Sequence, residues 1–283
     1  MPSRALLPVM IAAVLSCSSL SACSGEPGKV VCIFFDDAWR SQLENAVPVL
    51  LEHGFKASFA VPTAFIGLDQ GTPYARMTLD DLRKLQELGM DIASHSHTHP
   101  NLTALSREEL YYELLESKRI LESLGVEVKT FVYPYGAWNT TVAQAVAEAG
   151  YLCARTVEPA CMNLTLLPDF RYQVPSWSIT SESPEVISAI IADSPPGSLI
   201  VLTYHHVSGD TPKEASTSPA LFRQHMQAVA ESGAKVSLLP DLVEGGSSSS
   251  WPDISLLLIL VIGALVGASV SLLAIVKSLR NAG

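Results

Sequence analysis

The stretch Val30-Val31-Cys32-Ile33-Phe34-Phe35-Asp36-Asp37 decides the fold. Its first six residues are aliphatic, aromatic or, at Cys32, a thiol, with no polar alternation. That predicts a strand buried on both faces, as in a parallel sheet covered by helices. The strand stops at two adjacent carboxylates and delivers both to one point at its C-terminal end. Such a pair repels itself unless a cation or a shared proton relieves it. Taken alone, Asp-Asp also reads as a helix cap with an acidic neighbour, so the rest of the chain has to decide.

Working outward, residues 28–244 alternate apolar strands with amphipathic helices. Strands are expected at 30–35, 57–61, 91–93, 130–132, 152–154, 198–203 and 235–237. Helices are expected from Ser41, over 80–88, 106–124, 139–149 and 219–232. Ser41 with Glu44, and Ser106 with Glu109, have the form of capping boxes. Repeated βα units of this length predict an α/β fold, a distorted (β/α) barrel of about seven parallel strands, or eight if 173–175 joins.

The ends have a different composition. Arg4, the apolar stretch 5–15 and Leu20-Ser21-Ala22-Cys23 predict a secretory signal over 1–22. Leu-Ser-Ala-Cys also resembles a lipoprotein processing box, with Cys23 as the lipidated residue; an ordinary signal peptide or an uncleaved anchor is the other reading. At the far end, residues 254–276 carry no charge, long enough to span a bilayer core of ~30 Å. Lys277 and Arg280 follow directly, which puts the tail 277–283 in the cytoplasm and the domain outside. A removable lipid-anchor signal is the alternative, because Gly245-Gly246-Ser247 opens a polar spacer over 245–253. Both readings tether an extracytoplasmic domain at 29–244 to a cell membrane. A net charge of −10 offers no basic stripe for phosphates and argues against nucleic acid as a partner. An oxidising exterior would permit a Cys153–Cys161 bridge, while Cys32 reads as a buried thiol.

Polar clusters follow four of the strands. They are Asp36-Asp37, the run Ser94-His95-Ser96-His97-Thr98-His99-Pro100, Tyr133-Pro134-Tyr135-Gly136, and Tyr204-His205-His206. In a parallel barrel all four lie on the C-terminal face, where active sites are built. His95 and His99 are one helical turn apart, although Pro100 favours a short turn or loop, with His97 pointing away. With Asp37 they make an Asp-His-His set that suits a hydrolytic cation, which acidifies water and polarises a carbonyl. Zn²⁺ fits these ligands best, with Co²⁺, Ni²⁺ or Fe²⁺ as alternatives.

Phe35-Asp36-Asp37, His95-Ser96-x-x-His99, Pro134-Tyr135-Gly136 and His205 together resemble the polysaccharide deacetylase (NodB-homology) family over about residues 29–240. The resemblance implies a metal-dependent hydrolase removing acetyl groups from N- or O-acetylated glycans. It assigns Asp37, His95 and His99 to the metal, Asp36 to the general base and His205 to the general acid. It also places Pro134 and the Tyr135 N–H beside the substrate and oxyanion, with Trp177 as a wall of the acetyl pocket. His206 competes with His205, since an alternating strand points only one of them inward. One departure stands out. The family's Arg two residues before the motif proline is Val132 here, so either Arg155 or Arg171 substitutes for it or the base is less well held. The alternative function is a non-catalytic glycan-binding surface protein on a degenerate scaffold.

Overall fold

A computed structural model describes residues 27–209 and 215–246. Within it β1 (Val30–Phe35), β2 (Ser58–Val61), β3 (Asp91–Ser94), β4 (Thr130–Val132) and β5 (Cys153–Arg155) pair in sequence order, each ladder parallel. On its other side β1 pairs in parallel with Ser198–Tyr204 over its whole length. Trp177–Ser178 pairs in parallel with Leu202 and Thr203. The segment leading into it meets β5 through a parallel Arg155–Val174 bridge. Seven parallel strands therefore curl round a ring. The expected eighth member at 173–175 takes part as this bridge, and Lys235–Val236 makes a short parallel contact with the start of β1.

Strand alternation divides the core. Val30, Cys32, Phe34, Ala60, Ala93, Val132, Cys153, Val174, Leu199 and Val201 fill the inside of the ring. Leu239 and Val243 of the helix Leu239–Gly246 join this inner cluster. Val31, Ile33, Phe35, Phe59, Val61, Ile92, Ile200 and Leu202 face the surrounding helices. That two-sided burial is why β1 reads as an unbroken apolar run.

The helix Arg107–Glu122 opens at Ser106, whose side chain and that of Glu109 form the expected reciprocal cap. Ser41 does not cap. It has helical angles, and its Oγ accepts the Val207 N–H instead. The following residues Gln42–Ala46 form a π-helix before Val47–Glu52 becomes α-helical. Gln42, the first residue of that π-helix, donates its side-chain amide to the Asp36 and His205 carbonyls at 2.6 and 2.8 Å. Cys153 and Cys161 are free thiols, so the short bridge is not formed; Cys153 is locked inside the ring by strand alternation, while Cys161 packs on the outer layer. The signal segment with Cys23, residues 247–253 of the linker, the apolar stretch 254–276 and the tail 277–283 lie outside the described residues. No helix among the described residues is long and apolar enough to cross a membrane.

Phe35 is fully buried and stacks on Phe59 at 4.9 Å, with Phe222 and Tyr204 beside it. Phe35→Ala should cost about 3–5 kcal/mol, measured by chemical denaturation.

Candidate active site and metal centre

Three strand ends build the centre of the open face. The β1 ladder continues one residue further, with the Asp36 N–H donating to the Tyr204 carbonyl at 2.9 Å. Asp36 keeps the inward phase of Cys32 and Phe34 and is buried. The chain then turns sharply, because Asp37 and Ala38 both adopt left-handed backbone at φ 73° and 54°. This turn swings the Asp37 carboxylate away from its neighbour. Arg76 braces it by donating to the Asp37 carbonyl at 2.5 Å, its guanidinium lying flat against Trp39.

His95 follows β3 on the same inward phase. Its Nδ1 lies 2.8 Å from the Val132 carbonyl, a bond that requires the proton on Nδ1 and leaves the Nε2 lone pair free. That Nε2 is 3.1 Å from His99 Nε2 and 3.9 Å from Asp37 Oδ1; His99 Nε2 to Asp37 Oδ1 is 3.5 Å. The segment between the histidines is a loop, not a helical turn, with Ser96 and His99 at positive φ. Ser96 Oγ accepts the His99 N–H and closes it. His97 turns away to Thr63 Oγ1 at 2.8 Å. One ligand atom each from Asp37, His95 and His99 lies within 4.8 Å of the others, a set that can hold a metal ion. Burial pushes the His95 imidazole down to about 4 and lowers His99 as well, so both offer lone pairs at neutral pH. The donor set fits a divalent cation of borderline softness.

Asp36 has a different partner. Both its oxygens lie 2.6 Å from Arg155 Nη2, and the Arg155 side chain is fully buried. Arg155 also donates to Ser176 Oγ and the Thr156 carbonyl. Burial by itself would raise the Asp36 carboxyl; the Arg155 guanidinium, aided by His95 and His205, outweighs it and holds the group below its ordinary value. Arg155 stands directly opposite Val132 across the β4–β5 ladder. The guanidinium expected at 132 has thus moved one strand sideways, ~5 Å, at the same height on the same inner face. Arg171, the other candidate, does not contribute its guanidinium here; it lies over the Tyr172 ring.

His205 Nε2 is 3.8 Å from Asp36 Oδ2. His206, on the opposite phase, is buried against Trp39; its Nε2–H donates to the Pro73 carbonyl, and its Nδ1 lies 3.5 Å from Ser41 Oγ. After β4, Tyr135 and Gly136 take successive left-handed conformations, φ 59° and 65°. A Cβ on Gly136 would meet the Val157 side chain at 2.1 Å, so only glycine fits. The Gly136 and Ala137 N–H groups bond to Tyr133 and Pro134 carbonyls, while no such bond takes that of Tyr135. The Tyr135 ring is 68 % exposed and packs edge-on to His99 at 4.6 Å, with Pro134 buried beneath. Trp177 is not brought to the site. It pairs opposite Leu202, packs in the outer layer, and its phase is opposite to that of Ser176 at Arg155.

Comparison with known proteins agrees with this geometry. Residues 24–154 match the family model for polysaccharide deacetylases. That segment is similar to polysaccharide deacetylases. The chain is 29% identical over 227 residues to a chitooligosaccharide deacetylase of Sinorhizobium fredii, covering 79% of this chain and 90% of that one. It is also 29% identical over 132 residues to YxkH of Bacillus subtilis, where it spans 46% of either protein, less than half of that relative's length. A CE4 domain of a multidomain xylanase from a Trinervitermes trinervoides hindgut metagenome shares the fold, with 22% identity and a TM-score of 0.54. That likeness covers 78% of this chain and 92% of the domain.

Two outcomes follow for this polysaccharide deacetylase homologue. Arg155→Val strands a buried carboxylate and should cost about 3–5 kcal/mol. Adding Val132→Arg restores a cation at the neighbouring register position, so the double variant should recover much of that loss in denaturant titrations. In chelator, the unfolded His95 protonates near 6.5 and the folded one near 4. The unfolded chain therefore binds more protons in that window, and stability should fall with pH from about 6.5 towards 4 by up to ~1.4 kcal/mol per pH unit. His95→Gln should flatten the slope.

Proposed function

We propose that this chain is a metal-dependent deacetylase that hydrolyses acetyl groups, chiefly the N-acetyl of GlcNAc-type residues, from a cell-surface or cell-wall polysaccharide. The observation that supports it best is one carboxylate, Asp36, fixed by Arg155 between a general-acid candidate and a metal-ligand set. Asp37, His95 and His99 would hold the cation, which when bound supplies Lewis acidity to the acetamide oxygen and to water. Zn²⁺ is the cation these donors suit best.

The chain's own groups divide the proton work. Asp36 takes a proton from the attacking water, its oxygens turned inward by Arg155. The same Arg155 pairing that turns the carboxylate inward holds it below its ordinary value and so makes it a weaker base. The Tyr135 N–H, which no backbone carbonyl takes, supplies a donor to the oxygen as charge develops. His205 Nε2, near Asp36, gives its proton to the departing nitrogen. The strained turns at Asp37, Ser96, His99 and Tyr135 hold this arrangement before substrate arrives.

The placement in the cell is part of the same proposal. The reading of residues 1–22, Cys23 and 254–276 supports an extracytoplasmic domain tethered to the cell membrane. The non-catalytic alternative drew its support from Val132 and from the altered motif at Thr203-Tyr204-His205; Arg155 answers the first of these. The test is acetate release by the metal-loaded protein from chitin oligomers, peptidoglycan, poly-N-acetylglucosamine and acetylated xylan. Release from N-acetylglucosamine polymers is expected, with Asp36→Asn slower by about 10²–10⁴-fold. Absence of acetate from every substrate, with Asp36→Asn indistinguishable from the parent, would favour the non-catalytic protein.

A further inference from the structure

The metal-ligand loop is held from behind by a residue that none of the strand-end clusters contains. The helix Arg107–Glu122 buries Leu110, Glu113, Leu114, Ser117 and Leu121 against the sheet. Glu113 is the only acidic group in that set and is 6% exposed. Its Oε2 accepts the His97 and Thr98 N–H groups at 2.8 and 2.7 Å. Its Oε1 accepts the Thr98 hydroxyl at 2.5 Å. These donors lie between His95 and His99, where left-handed Ser96 and His99 leave no regular ladder to satisfy them.

We propose that Glu113 is a positioning residue for the metal centre, fixing the 96–98 backbone so that the two imidazoles converge. Three hydrogen bonds converge on one carboxylate and none of the three serves the helix itself. Ser96 Oγ closes the loop internally, and the Thr63 and Ala64 N–H groups hold its Ser96 and His97 carbonyls, while Glu113 takes the loop's His97 and Thr98 N–H donors from the helix side. The carboxylate touches neither the ligand atoms nor the open face, so its effect is on geometry. Glutamine can reproduce the pattern, with its oxygen accepting both N–H groups and its amide donating to the Thr98 hydroxyl. This inference rests on the proposed metal centre.

The experiment compares wild type, Glu113→Ala, Glu113→Gln and Thr98→Val by Zn²⁺ affinity, in competition with a chromophoric chelator, and by hydrogen exchange of the loop amides in chelator. Groups that orient metal ligands typically carry 10–100-fold in affinity. Glu113→Ala should lose that much and exchange faster at residues 97 and 98, Glu113→Gln should stay near wild type, and Thr98→Val should show a smaller loss. If Glu113→Ala does not fold, Thr98→Val against Glu113→Gln still decides. Wild-type affinity and exchange in Glu113→Ala would overturn the proposal, as would a Glu113→Gln loss equal to that of alanine. Absence of Zn²⁺ binding by the wild type would overturn the metal centre, while the exchange data would still report whether Glu113 holds the loop.

Discussion

The open face depends on one ion pair inside the ring. Asp36 and Arg155 are both out of water, and two such charges are tolerated only when the pairing and the remaining hydrogen bonds are close to complete. Arg155 reaches both Asp36 oxygens and spends a second nitrogen on Ser176 and Thr156. The pair also separates the two adjacent aspartates by role. Asp36 is compensated by a fixed guanidinium, so Asp37 is free to be compensated by a mobile cation. Without Arg155 both would compete for the same positive charge.

Geometry reinforces that division. A straight strand would send Asp37 outward among the helices. The left-handed pair Asp37-Ala38 instead bends it back toward His95 and His99, at a backbone cost of roughly 1–2 kcal/mol for each residue. Arg76 offsets part of this by holding the Asp37 carbonyl, and the Met77 N–H bonds the Ala38 carbonyl. The strain sits where a ligand must leave the regular ladder, which is where strained backbone is usually kept.

Much of this was legible in the residues. Apolar runs ended by polar clusters located the strand ends, and parallel topology put those ends on one face. Alternation required only one of His205 and His206 to point inward, and the register of Ser198–Tyr204 in the sheet puts His205 on the inner phase of Leu199 and Val201. Trp177 shows the limit. Its strand has two residues, too few to reveal which face is inward, and the indole lies in the outer layer. Ser41 shows another, since the Ser-x-x-Glu pattern carries no information about a long-range competitor such as the Val207 N–H. Glu113 gave a faint signal, an acid on the apolar stripe of an amphipathic helix, but the donors it serves are backbone groups that no side-chain pattern displays.

Val132 joins these points. A motif comparison sees a lost arginine there and suggests a failing catalyst. The structure shows that position doing a different part of the job. Its carbonyl fixes the His95 tautomer, a task any residue performs, and its small side chain leaves the interior to the guanidinium from the next strand. What the site requires is a buried cation within reach of Asp36, and register neighbours on a parallel ladder present side chains to nearly the same point. The requirement therefore belongs to a place in the barrel and not to a place in the chain. A substitution at one strand end can be answered at the next, leaving the pairing intact while the linear motif is broken.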